Sequence, residues 1–267
     1  MNLIDKKFAR LKLANRAALV PFLVAGDPDI TQSLELLKTA AQNSDILEVG
    51  FPFSDPLADG PIIQKAHARA LNSGTTPSKV FNLVKKVKTS SDIPLVAMVY
   101  ANLILQRGIN KFYSDCRKSG IDGIIIPDVP LEEITPYLKA AKKYDIKQIL
   151  MVAPTTTSRR LYKILKTADG FIYLVSSLGV TGIRKQLPGQ LPNVLATIKQ
   201  KTQTPVAVGF GINSPIQAKR LSTAGADGII IGSAIIELLQ KKPKNQQKGA
   251  LKKYLSSFAY YLNSPNP

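Results

Sequence analysis

Eight short apolar runs recur along the chain. They are "ALVPFLVAG" (18–26), "DILEVG" (45–50), "PLVAMVY" (94–100), "DGIIIPDVP" (122–130), "KQILMVAP" (147–154), "DGFIYLVS" (169–176), "PVAVGFG" (205–211) and "DGIIIGSA" (227–234). Between them lie longer stretches such as "ITQSLELLKTAAQN", "SKVFNLVKKVKTS" and "NKFYSDCRKSG", with apolar residues at three- and four-residue steps, the spacing of amphipathic helices. The short runs are apolar on both faces, as parallel strands covered by helices must be. Several units open alike: "SGIDGIII" (119–126) and "AGADGIII" (224–231) are near copies, and "TADGFIYL" and "NSDILEV" are looser ones. Gly120 and Gly225 sit where a helix needs a left-handed cap, and the Asp-Gly pair turns the chain into the next strand. Eight such units without a composition break predict an α/β fold, a single (β/α)8 barrel domain over residues 1–267. A further N-terminal helix, roughly Leu3 to Leu13, is predicted to cover the bottom of the barrel.

Composition narrows the chemistry. Of 267 residues, 45% are apolar and 20% charged, an ordinary balance for a globular protein with a large core. No apolar run approaches the ~20 residues of a membrane span, and the charged N-terminal segment does not resemble a secretory signal. A soluble intracellular protein is expected. Cys116 is the only cysteine and His67 the only histidine, which excludes an internal disulfide, a thiolate cluster and a histidine-rich metal site. No metal is expected, and both residues are expected to pack on helices. The formal charge of +18 raises nucleic acid or anionic membrane as partners. The lysines are spread along the chain, however, and the densest group, Gln240 to Lys253, has no interleaved aromatic residues to stack on bases. It reads as solvated surface, with neither nucleic acid nor membrane as partner.

In a barrel of this kind function lies in the loops after the strands. Glu48 interrupts an apolar strand, and two-residue alternation puts it on one face with Ile46 and Gly50, inside the barrel near its mouth. Burial there raises a carboxyl pKa and poises the group to give and take protons; a structural carboxylate bonded to backbone is the equal alternative. Asp59 lies just beyond in "FPFSDPLADGP", a loop stiffened by Pro52, Pro56 and Pro61, where Asp55 reads as a turn-former. "GFGI" after the seventh strand and "IGSAI" after the eighth read as a phosphate grip built from glycine backbone and a helix N-terminus. The long run 176–192, with Thr181 between Gly179 and Gly182, reads as a lid.

The motifs "LVPFLVAGDPD", "LEVGFPFSDPLADGPIIQ", "MVYANLI", "PDVPLEE", "YLVSSLGVTG", "VGFGI" and "IGSAI" together resemble the tryptophan synthase alpha subunit, in order and from end to end. The resemblance implies retro-aldol cleavage of indole-3-glycerol phosphate to indole and glyceraldehyde 3-phosphate, with no cofactor in this chain. It implies Glu48 as the acid/base at indole C3 and the glycerol hydroxyl, and Asp59 as the carboxylate that pairs with the indole N–H. Phe22, Met98, Tyr100, Ile126 and Tyr173 would surround the indole. Gly182, Gly209, Phe210, Gly211, Gly232 and Ser233 would hold the phosphate. The implied partner is a pyridoxal-phosphate beta subunit in an alpha2-beta2 tetramer, contacted through Pro52, Asp55, Asn102 and Pro130. A bacterial cytoplasm and a plastid stroma both suit such a chain, and a plant branch of the family works alone. A barrel with the same phosphate grip could instead isomerise sugar phosphates, but that leaves "FPFSDPLADGP" unexplained.

Overall fold

A computed structural model describes residues 2–175, 191–209 and 211–264. In chain order the elements are α1 (Leu3–Leu13), β1 (Ala18–Val24), α2 (Ile30–Gln42), β2 (Leu47–Gly50), α3 (Pro61–Asn72), α4 (Pro77–Lys88), β3 (Leu95–Met98), α5 (Ala101–Arg107), α6 (Ile109–Ser119) and β4 (Gly123–Ile125). A short 3-10 turn, Leu131–Glu133, leads into α7 (Thr135–Tyr144), β5 (Lys147–Val152), α8 (Ser158–Thr167), β6 (Ile172–Val175), α9 (Leu191–Lys201), β7 (Val206–Gly209), α10 (Pro215–Thr223), β8 (Gly228–Ile231), α11 (Ser233–Gln240) and α12 (Lys244–Asn263). The eight strands close into a barrel in sequence order, with β1 pairing parallel to both β2 and β8. All eight predicted strands are present. Two-residue alternation splits the core into two layers. Leu47, Val49 and Phe51 point outward to the helices, whereas Ile46 joins Val20, Phe22, Val96, Met98, Ile125 and Tyr173 inside.

Helix starts follow their sequence signals. Asp29 accepts from Gln32 N at the start of α2, and α3, α4 and α10 each carry proline in the first turn. Gly120 ends α6 at φ +91°, and Gly225 follows α10 at φ +101°, the left-handed positions read from the repeat. The predicted N-terminal helix closes the bottom: Ile4, Phe8 and Leu11 of α1 are buried, and the Phe8 and Phe171 rings lie 5.6 Å apart.

The repeated aspartates do more than turn the chain. Asp45 Oδ2 accepts from Leu19 N at 2.9 Å, Asp122 Oδ2 from Leu95 N at 2.9 Å and Asp227 Oδ2 from Val206 N at 2.7 Å. Each thus ties the approach to an even-numbered strand to the start of the odd-numbered strand before it. Each also has a cation: Arg16, Lys88 and Lys199 respectively. The lysine-rich C-terminal segment is similarly partnered in part, since Lys241, Lys244 and Lys248 pair with Glu237, Asp29 and Glu35, the last two on or beside α2. No helix among the described residues is long and apolar enough to cross a membrane.

Candidate active site

At the C-terminal ends of the strands a pocket is lined by Phe22, Glu48, Asp59, Ile63, Met98, Tyr173, Gly211, Ile230, Gly232 and Ser233. It holds about 350 Å³ of space between atoms, part of it open to solvent. Strand register assembles the wall: Phe22 lies beside Glu48, and Gly50 beside Met98. Small residues make room for large ones. A Cβ at Gly50 would come within 2.7 Å of the Phe22 ring, and one at Gly209 within 2.4 Å of the Tyr173 hydroxyl. Glycine at those positions lets the two rings lie across the barrel mouth.

Glu48 is 1% exposed, and neither carboxyl oxygen has a hydrogen-bond partner among the described residues. Burial, reinforced by the negative charge of Asp59, pushes its pKa up to about 8. The structural-carboxylate alternative needs backbone partners for this group, and the described residues supply none. Tyr173 is pushed upward by burial and then by the charges of Glu48 and Asp59, so its hydroxyl stays protonated beside them.

Asp59 is 2% exposed but well partnered. Its backbone N–H closes a turn onto Pro56 O at 3.0 Å, and its own C=O accepts from Gln64 Nε2 at 2.8 Å, which anchors the loop to α3. Asp59 Oδ2 accepts from the Tyr100 hydroxyl at 2.7 Å and lies 3.3 Å from His67 Nε2. Tyr100 follows β3, and its ring stacks on Phe53 with centroids 5.0 Å apart. An acidic pair of opposite character therefore faces one cavity: Glu48 starved of donors, Asp59 supplied with them.

Across the pocket, Gly232 and Ser233 form the N-terminal end of α11, where backbone N–H groups and the helix dipole favour an anion. Gly211, at φ +77°, brings the loop after β7 to the same place.

A proton-poised carboxyl, a second anchored carboxylate, an apolar slot and an anion-favouring rim suit a phosphorylated substrate with an aromatic body. The family model described as tryptophan synthase alpha chain matches residues 8–261. The chain belongs to the tryptophan synthase alpha chain family. A Thermoanaerobacter tryptophan synthase alpha chain is 44% identical over 98% of this chain and 100% of its own length. Mycobacterium tuberculosis tryptophan synthase superposes with a TM-score of 0.91 at 31% identity, covering 98% of both chains. The Pyrococcus furiosus tryptophan synthase complex gives 0.85 at 33% identity, covering 92% of this chain and 98% of the other. As a member of this family the chain is an aldolase-type carbon–carbon lyase of tryptophan biosynthesis, cleaving indole-3-glycerol phosphate to indole and glyceraldehyde 3-phosphate.

Half of the site residues singled out in the sequence meet here. Glu48, Asp59, Phe22, Met98, Tyr173, Gly211, Gly232 and Ser233 line the pocket, and Gly209 backs Tyr173. Two differ from expectation. Tyr100 is behind the wall, bonded to Asp59. Ile126 does not reach the pocket: Ile125 takes the inward position at the end of β4, so Ile126 turns outward into a separate groove with Pro127, Leu150 and Ile164. Asp55 and Pro130 are exposed in the loops after β2 and β4, and Asn102 is exposed in the first turn of α5, whereas Pro52 is buried in the loop after β2. Thr181, Gly182, Phe210 and nearly all of the 176–192 run lie outside the described residues. Ile63, Ile230 and His67 were not among the residues expected at the site. Ile230 was open to detection, since alternation in "DGIII" puts it inside by the reasoning that placed Glu48. Ile63 and His67 reach the site from α3, and no strand pattern marks them. Cys116 is fully buried on α6 as expected, its thiol pushed up by burial.

Proposed function

We propose that Glu48 and Asp59 carry the cleavage between them. The reaction breaks the bond between indole C3 and the first glycerol carbon, so C3 must accept a proton and the hydroxyl on that carbon must lose one. Glu48, held protonated by burial, donates to C3, which places positive charge on the indole nitrogen. Asp59 accepts the indole N–H and stabilises that charge. The Glu48 carboxylate, now ionised in an apolar site, takes the hydroxyl proton as the C–C bond breaks and the aldehyde forms. The proton inventory closes and Glu48 returns to its starting state. Phe22, Met98, Ile63 and Ile230 exclude water from the ring. The backbone around Gly211, Gly232 and Ser233, with Gly182, Gly209 and Phe210 by resemblance, receives the phosphate. Thr181 belongs to the lid. The single observation that carries this reading is the buried carboxyl of Glu48, without a donor among the described residues and facing the same cavity as Asp59.

The reading extends to a partner. Relatives are solved as a tryptophan synthase complex, and indole, being small and apolar, escapes unless a second enzyme takes it. The partner is a pyridoxal-phosphate beta subunit, in an alpha2-beta2 tetramer, docking on the mouth at Asp55, Asn102 and Pro130. The whole chain works as one barrel domain in a bacterial cytoplasm or plastid stroma, without nucleic acid or membrane. Incubating the purified chain with indole-3-glycerol phosphate, without added metal, should release indole and glyceraldehyde 3-phosphate in equal amounts. Turnover confined to a sugar-phosphate isomerisation in a substrate panel would overturn the reading.

A further inference from the structure

The sole histidine of the chain stands behind the site, 2% exposed on α3, in contact with a catalytic group. Two contacts define its chemistry. Phe53 N–H donates to His67 Nδ1 at 3.3 Å, and His67 Nε2 faces Asp59 Oδ2 at 3.3 Å. A backbone N–H can only donate, so Nδ1 must present its lone pair, and the ring proton is left on Nε2, aimed at the carboxylate. The Tyr100 hydroxyl donates to the same Oδ2 at 2.7 Å, with the rings of His67 and Tyr100 edge-to-face at 6.4 Å. Both contacts engage one oxygen, Oδ2, and Oδ1 has no hydrogen bond among the described residues. Phe53 belongs to the loop after β2 that also carries Asp55 and Asp59. His67 therefore closes a hydrogen-bonded ring from the loop backbone, through an imidazole, to the carboxylate at the end of the same loop.

We propose that His67 is a positioning residue: as the Nε2–H tautomer fixed by Phe53, it locks Asp59 in the rotamer that accepts the indole N–H. The proposal rests on the reading of Asp59 given above. Charge on the indole nitrogen develops only as C3 is protonated, so misplacing Asp59 weakens the transition state more than substrate binding.

Because the chain has one histidine, the imidazole of untagged, ¹⁵N-labelled protein can be read by NMR without assignment. The expected spectrum has a protonated Nε2 and an unprotonated Nδ1, and Asp59→Ala should shift the Nε2 signal. His67→Leu removes the donor and should lower kcat by about 10- to 100-fold with KM within about threefold, the range for loss of a hydrogen bond to a charged group. His67→Gln, which places an amide N–H near the Nε2 position, should recover most of that loss. A protonated Nδ1 would overturn the proposal, as would a folded His67→Leu or His67→Gln protein whose kcat contradicts these expectations. If His67→Leu does not fold, the tautomer and the glutamine variant decide. Asp59→Asn retaining full turnover would instead sink the reading of Asp59, a result separable from the tautomer.

Discussion

The two ends of the barrel treat buried carboxylates in opposite ways. At the bottom, Asp45 and Asp122, 7% and 4% exposed, each accept a strand N–H and face a cation. At the mouth, Glu48 is more deeply buried than either and has neither among the described residues. A buried charge is tolerated when donors replace its lost hydration, and otherwise the group takes up a proton. Asp45 and Asp122 have such donors, and Glu48 has none among the described residues. Depth of burial does not separate the bottom carboxylates from the proposed catalytic acids. Satisfaction does, and Asp59 is the intermediate case: its Oδ2 accepts from Tyr100 and lies beside His67, while its side chain lines the pocket.

Breaking the comparison at the mouth gives the largest effect. Glu48→Gln removes the proton carrier while keeping shape, and kcat should fall by at least about 10³-fold with a native circular dichroism spectrum. Asp59→Asn keeps shape but loses the charge facing the indole nitrogen, for a loss of about 10²- to 10³-fold. Retention of turnover by either variant in a steady-state indole assay would refute its assigned role. Breaking the bottom should do the reverse. Asp122→Ala strands the buried Leu95 N–H and removes the anion beside Lys88, which should destabilise the fold by about 1–3 kcal/mol in urea melts. The folded fraction should keep its kcat within about twofold.

The raised pKa of Glu48 sharpens the contrast through pH. Its folded value is about 8 against an ordinary 4.5. Below pH 4.5 both folded and unfolded chains hold the proton and the shift has no effect. As pH rises from 4.5 to 8 the unfolded chain releases it and the native chain retains it, so this group lowers stability progressively, then levels off above 8. Glu48→Gln should therefore match wild type near pH 4 and exceed it at pH 8 by an amount on the order of a few kcal/mol. For catalysis the sign follows from donation: kcat/KM should fall above about pH 8, as Glu48 loses the proton it delivers. A wild-type profile flat to pH 9.5 would contradict this.

What the chain discloses in one dimension follows from how each feature is encoded. The barrel was legible because its strands and helices repeat, and Glu48 because a charge broke a run apolar on both faces and two-residue alternation placed it inside. Ile126 departs from expectation by that same alternation at a strand end, where Ile125 holds the inward position. His67 was unreadable: it is one polar residue on the buried face of a helix, and its value depends on a loop that returns to it from 14 positions away. For Tyr100 the sequence leaves two contacts open, since a tyrosine after a strand can face substrate or brace a carboxylate, and the structure shows the bond to Asp59. Only the three-dimensional position of Asp59 distinguishes these.

The smallest effect concerns the same mouth loop without its chemistry. Asp55 is exposed, its carboxylate bonded only to the neighbouring Ser54 hydroxyl among the described residues, and its C=O accepts from Leu57 N at 2.8 Å to shape the turn. Replacing the side chain leaves that backbone bond intact, so Asp55→Ala should change the isolated chain's turnover by less than about twofold, as expected of an exposed site away from buried features. The proposed beta subunit alters the expectation. A basic group on it can pair with Asp55 and steady the loop that ends in Asp59, and binding energy used this way raises kcat without adding a chemical group. Wild-type chain should accelerate on titration with beta subunit, and the Asp55→Ala chain should lose most of that acceleration while its unpartnered rate holds. Equal acceleration of both proteins would place the coupling elsewhere on the mouth, and an isolated chain as fast as the mixture would show that the loop is already rigid enough through His67 and Tyr100 alone.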